Sequence, residues 1–292
     1  MNTVNGPKHL PPLCYRRGME DVLRAIVLGV VQGLTEFLPI SSSGHLIAVR
    51  ELFGWEFADD LTFDVSLHLG TTVAVLVYFW REWRQMLRSL LLRLTGERRP
   101  EFAGIYDDRM LMLVVVGSVP IAIVGLVLLD WIEEETRSPT IVGPMMITLG
   151  LVLAFAERIG RRTRTLGEAG LRDALLIGSA QAMSLVPGVS RSGVTISAGL
   201  MLGFTREEAA RFSFVLSTPA ILGAGILTLA DAIDQGELAG EAEVILAGTL
   251  VAAIVGWLSI VALLRLVQTR SFLPFVAYRL LAGAFLIVYF AV

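Results

Sequence analysis

Apolar residues fall into long runs along this chain, and the polar interruptions between them define its elements. A helix crossing a bilayer core needs about 20 consecutive, mostly apolar residues. Six runs reach that length, at roughly 62–80, 110–130, 139–157, 210–231, 243–264 and 272–291. Two further apolar stretches, 22–53 and 171–203, are each cut by proline, serine and glycine into two pieces too short to cross. These read as re-entrant helical hairpins that enter the membrane and leave on the same side. A polar break at membrane depth is tolerated only where protein buries it or water fills a cavity beside it. Each break therefore marks a place where the chain needs polarity.

Composition agrees with a membrane-embedded unit. The 292 residues are 54% hydrophobic and 17% charged, with a mean hydropathy of +0.69. Ordinary soluble domains carry about 25% charged residues. Residues 1–18, with Pro7, Pro11, Pro12, Arg16 and Arg17, hold no long apolar run and read as a flexible N-terminal extension. Residues 19–292 then form a single polytopic domain, with halves at roughly 19–157 and 171–292. Basic residues sit in short loops and not on one aromatic-laced face, which argues against nucleic acid as a partner. The single cysteine, Cys14, excludes an intrachain disulfide and a cysteine-based zinc site.

The loop charges set an orientation. Residues 81–109 hold seven arginines (Arg81, Arg84, Arg88, Arg93, Arg98, Arg99 and Arg109), whereas Asp130, Glu133, Glu134 and Glu135 face only Arg137 in the next connection. The following one is basic, with Arg158, Arg161, Arg162, Arg164 and Arg172. Residues 231–243 carry only acids, and Arg265 and Arg270 mark the last turn. Positive loops stay cytoplasmic, so the acidic connections lie outside, against the sign of the extension's own Lys8, Arg16 and Arg17. The first hairpin then enters from the outer face and the second from the cytoplasm. A displacement of 149 positions carries Gly29 onto Gly178, Gln32 onto Gln181, Ser41 onto Ser190, Ser43 onto Ser192 and Gly44 onto Gly193. Broken helices of opposite orientation are the pattern of inverted repeats whose breaks meet near the midplane. The fold expected is an all-α integral membrane protein: six transmembrane helices plus two re-entrant helical hairpins in an inverted-topology repeat.

The breaks carry the candidate chemistry. Gln32 and Glu36 lie one turn apart, on one helix face, ahead of Pro39, Ser41, Ser42, Ser43, Gly44 and His45. The second break reads Pro187-Gly188-Val189-Ser190-Arg191-Ser192-Gly193-Val194-Thr195. An arginine at membrane depth is a functional hypothesis by default, and its planar fork of donors suits phosphate oxygens. Ser190, Ser192, Thr195 and the backbone near Gly188 and Gly193 add donors for an anion. The structural alternative, Arg191 paired to Glu36 for stability alone, leaves those hydroxyls unexplained. Glu36 can hold a divalent cation such as Mg²⁺ or Ca²⁺ through one carboxylate plus substrate phosphates. His45 titrates near neutral pH and suits a general acid or base, and a serine beside it, Ser42 above all, suits a nucleophile. His68, within Ser66-Leu67-His68-Leu69, reads as a satisfied core histidine.

The two stretches Gln32-Gly-Leu-Thr-Glu36-Phe-Leu-Pro39-Ile-Ser-Ser-Ser-Gly-His45 and Pro187-Gly-Val-Ser190-Arg191-Ser192-Gly-Val-Thr195 resemble the signature motifs of the bacterial undecaprenyl-pyrophosphate phosphatases, the bacitracin-resistance family. The likeness runs from about Glu20 over nearly the whole chain and includes Leu67-His68-Leu69-Gly70-Thr71. It implies an integral-membrane hydrolase that removes the terminal phosphate of the C55 prenyl pyrophosphate and so recycles the cell-wall lipid carrier. Residue by residue, it implies catalytic roles for Glu36, Ser42, His45 and Arg191, with Gln32, Ser41, Ser43, Ser190, Ser192, Thr195, Gly188 and Gly193 around the substrate and a metal at Glu36. Gln32 stands where the family accepts either Glu or Gln. Serine, histidine and water remain alternative attacking groups. The resemblance further implies a multi-pass protein of the bacterial plasma membrane, with a site open to the periplasmic face and the prenyl pyrophosphate and the bilayer as partners; the sequence itself leaves the oligomeric state, monomer or homodimer, open.

Two rivals are weighed on residues. A phosphatidic-acid-phosphatase-type enzyme needs a histidine nucleophile downstream of its Ser-Arg motif, and no histidine follows Arg191. A lipid-phosphate transporter or flippase shares the inverted-repeat architecture and the anion site, but has no evident use for a nucleophile beside a base.

Overall fold

The computed structural model describes residues 13–55, 60–96, 104–235 and 242–290. Apart from an isolated bridge between Arg164 and Phe204, the regular structure described is helical. In chain order the helices are α1 (Leu13–Phe37), α2 (Ser42–Phe53), α3 (Asp60–Tyr78), α4 (Trp80–Leu94), α5 (Asp108–Thr136), α6 (Pro139–Ile159), α7 (Leu171–Ala182), α8 (Arg191–Met201), α9 (Arg206–Gln235), α10 (Ala242–Thr269) and α11 (Leu273–Phe290). Six of them, α3, α5, α6, α9, α10 and α11, are long and apolar enough to cross a membrane. They coincide within a few residues with the six runs read from sequence. Their outward faces expose Leu126, Val127, Leu281 and Val288, an apolar surface of the kind that lipid covers.

Two parts of the chain differ from the sequence reading. Residues 1–12 of the expected extension lie outside the described residues, and Leu13–Gly18 form the opening turns of α1. At 25 residues α1 is longer than the short piece expected, because those turns continue the apolar segment as helix. The basic stretch 81–109, read as a connection, contains α4, whose apolar residues recur at helical spacing.

Local chemistry explains both interruptions. The residue before a proline avoids the helical region, and proline has no N–H to donate. α1 accordingly stops at Phe37, ahead of Leu38-Pro39. Ser41 then adopts φ +76° and caps α2, its Oγ accepting from the Gly44 N–H at 3.4 Å. The second interruption follows a single 3-10 turn, Met183–Leu185. Gly188 takes φ +91°, and Ser190, at φ +71°, caps α8 by accepting from the Gly193 N–H at 3.1 Å. A serine held left-handed costs on the order of 1–3 kcal/mol and persists where its surroundings over-determine it.

The two interrupted segments pack in matching ways. α1 lies along α10 as α7 lies along α5, and α6 packs on α11. The contacts are close enough to require glycine. A Cβ on Gly29 would stand 2.5 Å from the Gly248 carbonyl oxygen, and one on Gly178 would stand 2.0 Å from that of Gly117. Phe37, at the end of α1, meets Phe214 of α9 edge to face at 5.2 Å, within the largest apolar cluster. Asp64 of α3 accepts from Arg50 of α2 and from Arg137 at 2.5 Å, which fixes α2 against α3.

Candidate active site

The chain brings the two interruptions into contact. Ser192 Oγ donates to the Leu38 carbonyl at 3.0 Å. Arg279 of α11, fully buried, reaches both sides. Its Nη1 donates to the Pro39 carbonyl at 3.2 Å, and its Nη2 donates to the Gly188 and Val189 carbonyls at 2.9 and 3.1 Å. Its Nε donates to the Met146 carbonyl of α6 at 2.9 Å. The Pro39, Gly188 and Val189 carbonyls, which follow the ends of α1 and the 3-10 turn, and that of Met146 within α6 give a buried cation the acceptors it needs without a carboxylate.

Glu36 is the centre of the polar cluster. Its Oε2 accepts from Gln32 Nε2 at 3.0 Å and from Ser42 Oγ at 2.5 Å. His68 Nε2 lies 3.4 Å from the same oxygen. Arg191 Nη1 stands 3.8 Å from Oε1, which is beyond hydrogen-bond reach. Nε and Nη1 of Arg191 are buried without a hydrogen-bond partner. α2 and α8 both start here, at Ser42 and Arg191, so two positive helix ends converge beside an arginine with unused donors. The arrangement offers donors suited to an anion, with a carboxylate-bound serine at its edge.

Several sequence-derived candidates are placed differently. Among the described residues His45 makes no hydrogen bond with Ser42. Its Nδ1 lies 2.6 Å from the Ser41 carbonyl and its Nε2 lies 2.6 Å from the Tyr278 hydroxyl. A carbonyl only accepts, so Nδ1 carries the proton and Nε2 accepts from Tyr278. The pairing of His45 with Ser42 expected from their sequence proximity is therefore replaced by Glu36 with Ser42, because the α2 turn directs the imidazole toward α11. The Thr195 hydroxyl points to Ser213 of α9 at 2.6 Å and to the Arg191 carbonyl at 2.7 Å. Ser41 and Ser190 are occupied as caps, with the Ser43 and Ser192 hydroxyls 3.5 and 3.2 Å from them. Gly188 and Gly193 shape the second turn, where a Cβ on Gly188 would lie 2.7 Å from the Val142 carbonyl oxygen.

His68 corrects the reading of a core histidine. Its Nδ1 lies 2.8 Å from the Asp64 carbonyl, which aims Nε2 at Glu36. Arg279 and Tyr278 were also missed. An arginine inside an apolar span was the available signal for the first, and the motif stretch around His68 was the signal there.

The metal question turns on oxygens. Among the described residues no three His, Cys, Asp or Glu side chains come together. Gln32 Oε1 is buried without a hydrogen-bond partner, and Glu36 Oε1 has only the distant Arg191. Two oxygens on one helix face suit a hard cation that takes its remaining ligands from substrate phosphates.

The model of the family described as "Bacitracin resistance protein BacA" matches residues 25–285. That span includes both interruptions, His68 and Arg279. The chain belongs to this family. Among curated proteins, it is 48% identical over 266 residues to an undecaprenyl-diphosphatase of Nocardioides sp. (strain ATCC BAA-499 / JS614), covering 91% of this chain and 95% of that protein. An undecaprenyl-diphosphatase of Geobacter sulfurreducens is 48% identical over 270 residues, covering 92% of this chain and 98% of its own length. One of Pelotomaculum thermopropionicum is 45% identical over 267 residues, covering 91% and 96% respectively. BacA membership and six apolar helices make the chain a multi-pass membrane protein.

Proposed function

We propose that this protein removes the terminal phosphate of undecaprenyl pyrophosphate, giving undecaprenyl phosphate and inorganic phosphate and so returning the lipid carrier to cell-wall synthesis. The relatives' activity supports the substrate. The observation that carries the mechanism is the 2.5 Å hydrogen bond from Ser42 to Glu36, beside the unpartnered donors of Arg191.

In this mechanism Arg191 and the amides opening α2 and α8 hold the diphosphate. Ser42 Oγ attacks the terminal phosphorus, and Glu36 takes the serine proton. The bond from that phosphorus to the bridging oxygen breaks, and prenyl phosphate leaves with the electron pair. Water then attacks the phosphoserine, Oγ recovers its proton from Glu36, and inorganic phosphate departs with the water oxygen. Nδ1 of His68 donates to the Asp64 carbonyl, so only as the imidazolium does its Nε2 steady the charged Glu36, and His45 holds the Ser41 carbonyl at the cap. Gln32 Oε1 and Glu36 Oε1 would hold a divalent cation, Mg²⁺ or Ca²⁺, whose chemistry is to neutralise phosphate charge. Positioning and charge stabilisation dominate phosphoryl transfer, which puts Arg191 ahead of any one surrounding hydroxyl.

The site lies between two re-entrant hairpins, α1–α2 and α7–α8, related as an inverted repeat. Support comes from the paired left-handed serine caps, 149 positions apart, and from the parallel packing of α1 on α10 and α7 on α5. The acidic connections support a mouth on the periplasmic face. The test is phosphate release by purified protein from a long-chain prenyl pyrophosphate, with and without chelator. Release that collapses in Ser42→Ala, Glu36→Gln and Arg191→Ala supports the hydrolase. Binding without release under any divalent ion would favour a lipid-phosphate transporter instead.

A further inference from the structure

α4 carries its charge unlike the six spanning helices. It holds Arg81, Arg84, Arg88 and Arg93 against one acid, Glu82. One side is fixed to the protein: Met86 is fully buried, Ser89 Oγ and Arg93 Nη1 donate to Asp108 at 2.8 and 2.6 Å, and Glu82 faces Arg211 at 3.7 Å. These contacts set the rotation of the helix. Trp80, Leu87, Leu91 and Leu94 then form one outward stripe, 61, 51, 61 and 74% exposed. Arg81, Arg84 and Arg88 are exposed on the adjoining face. Among the described residues, Arg81 and Arg84 have no ion pair or side-chain hydrogen bond. The helix starts two residues after the first span ends, at the level where a bilayer gives way to water.

The geometry points to α4 as an interfacial anchor that binds anionic phospholipids of the cytoplasmic leaflet. The leucine stripe lies among the acyl chains, Trp80 sits at the headgroup boundary, and Arg81 and Arg84 hold lipid phosphates. A basic amphipathic helix with an apolar face of Trp and Leu is the form that lies in the interface plane, and arginine grips phosphate through two parallel donors. The basic connections are the cytoplasmic ones, and that leaflet is the anionic one. Charge complementarity favours lipid over a second copy, which would bring two sets of the same arginines together. This inference does not depend on the proposed hydrolysis.

The test uses the full chain in micelles containing equal amounts of phosphatidylglycerol and phosphatidylcholine, with native mass spectrometry counting retained lipid. The wild type should retain phosphatidylglycerol over phosphatidylcholine by about fivefold or more. Arg81→Gln/Arg84→Gln should bring that ratio near parity, with thermal midpoint unchanged in neutral detergent. Arg81→Lys/Arg84→Lys should keep most of the preference, and Arg158→Gln/Arg161→Gln, in a different basic connection, should leave it intact. A wild type without preference, a glutamine variant that keeps it, or lysine variants that lose it would each overturn the proposal. So would a dimer that Leu87→Gln/Leu91→Gln dissociates.

Discussion

Arg279 donates to the Gly188 carbonyl at 2.9 Å, although the two residues are 91 positions apart and neither belongs to the other's helix pair. The same guanidinium holds Pro39 across the site, so one side chain sets the distance between the interruptions. Arg279→Met keeps much of the volume and abandons several buried carbonyls. It should cost about 3 kcal/mol or more and abolish turnover. Arg279→Lys retains the charge but cannot fork, so it should recover stability only in part. Thermal unfolding in detergent, read beside turnover, checks both.

Glu36→Gln keeps the shape of the cluster but removes the proton acceptor from Ser42. Turnover should fall by about 10²–10⁴-fold. Lipid binding, measured by competition with unlabelled substrate, should change far less. Equal losses in binding and turnover would assign Glu36 to binding alone.

His68 and His45 should separate. His68→Gln removes a cation-capable ring from Glu36, and should lower kcat at least about tenfold with little change in KM. Tyr278→Phe loses the bond to His45 Nε2 without touching Glu36, and should leave kcat within about threefold of wild type. A larger effect of Tyr278→Phe than of His68→Gln would return His45 to the chemistry.

Gln32→Glu adds a carboxylate beside Glu36 and should reduce the Mg²⁺ concentration for half-maximal activity, since ligand charge tunes affinity for hard cations. A titration of activity against free Mg²⁺ decides it. An unchanged midpoint would remove Gln32 from the cation's surroundings.

Gly178→Ala tests the packing that supports the second interruption. Its Cβ would sit 2.0 Å from the Gly117 carbonyl oxygen, an overlap that forces the α5 and α7 backbones apart. The expected cost is about 1–3 kcal/mol or more, seen as a lower thermal midpoint.

The architecture was legible wherever it rests on runs and breakers. Six apolar runs became α3, α5, α6, α9, α10 and α11, and Pro39 and Pro187 marked where helices stop. The clustering of Gln32, Glu36, Ser42 and Arg191 was legible because polar residues in breaks at membrane depth must be enclosed by protein or water. His68, Tyr278 and Arg279 were not, since they sit on uninterrupted helices and reach the site only through the packing of α3 and α11. The Ser42–His45 pairing failed for a related reason. Sequence adjacency says nothing about which way a helix turns its side chains, and α2 turns Ser42 toward α1 and His45 toward α11.

In the proposed mechanism Ser42, deprotonated by Glu36, takes the phosphoryl group. The most direct test is rapid chemical quenching of the protein with a prenyl pyrophosphate radiolabelled in its terminal phosphate. Label should appear transiently on the peptide that contains Ser42, and Ser42→Ala should show neither label nor phosphate release. Wild-type turnover with no label on that peptide, or Ser42→Ala releasing phosphate at the wild-type rate, would contradict the account.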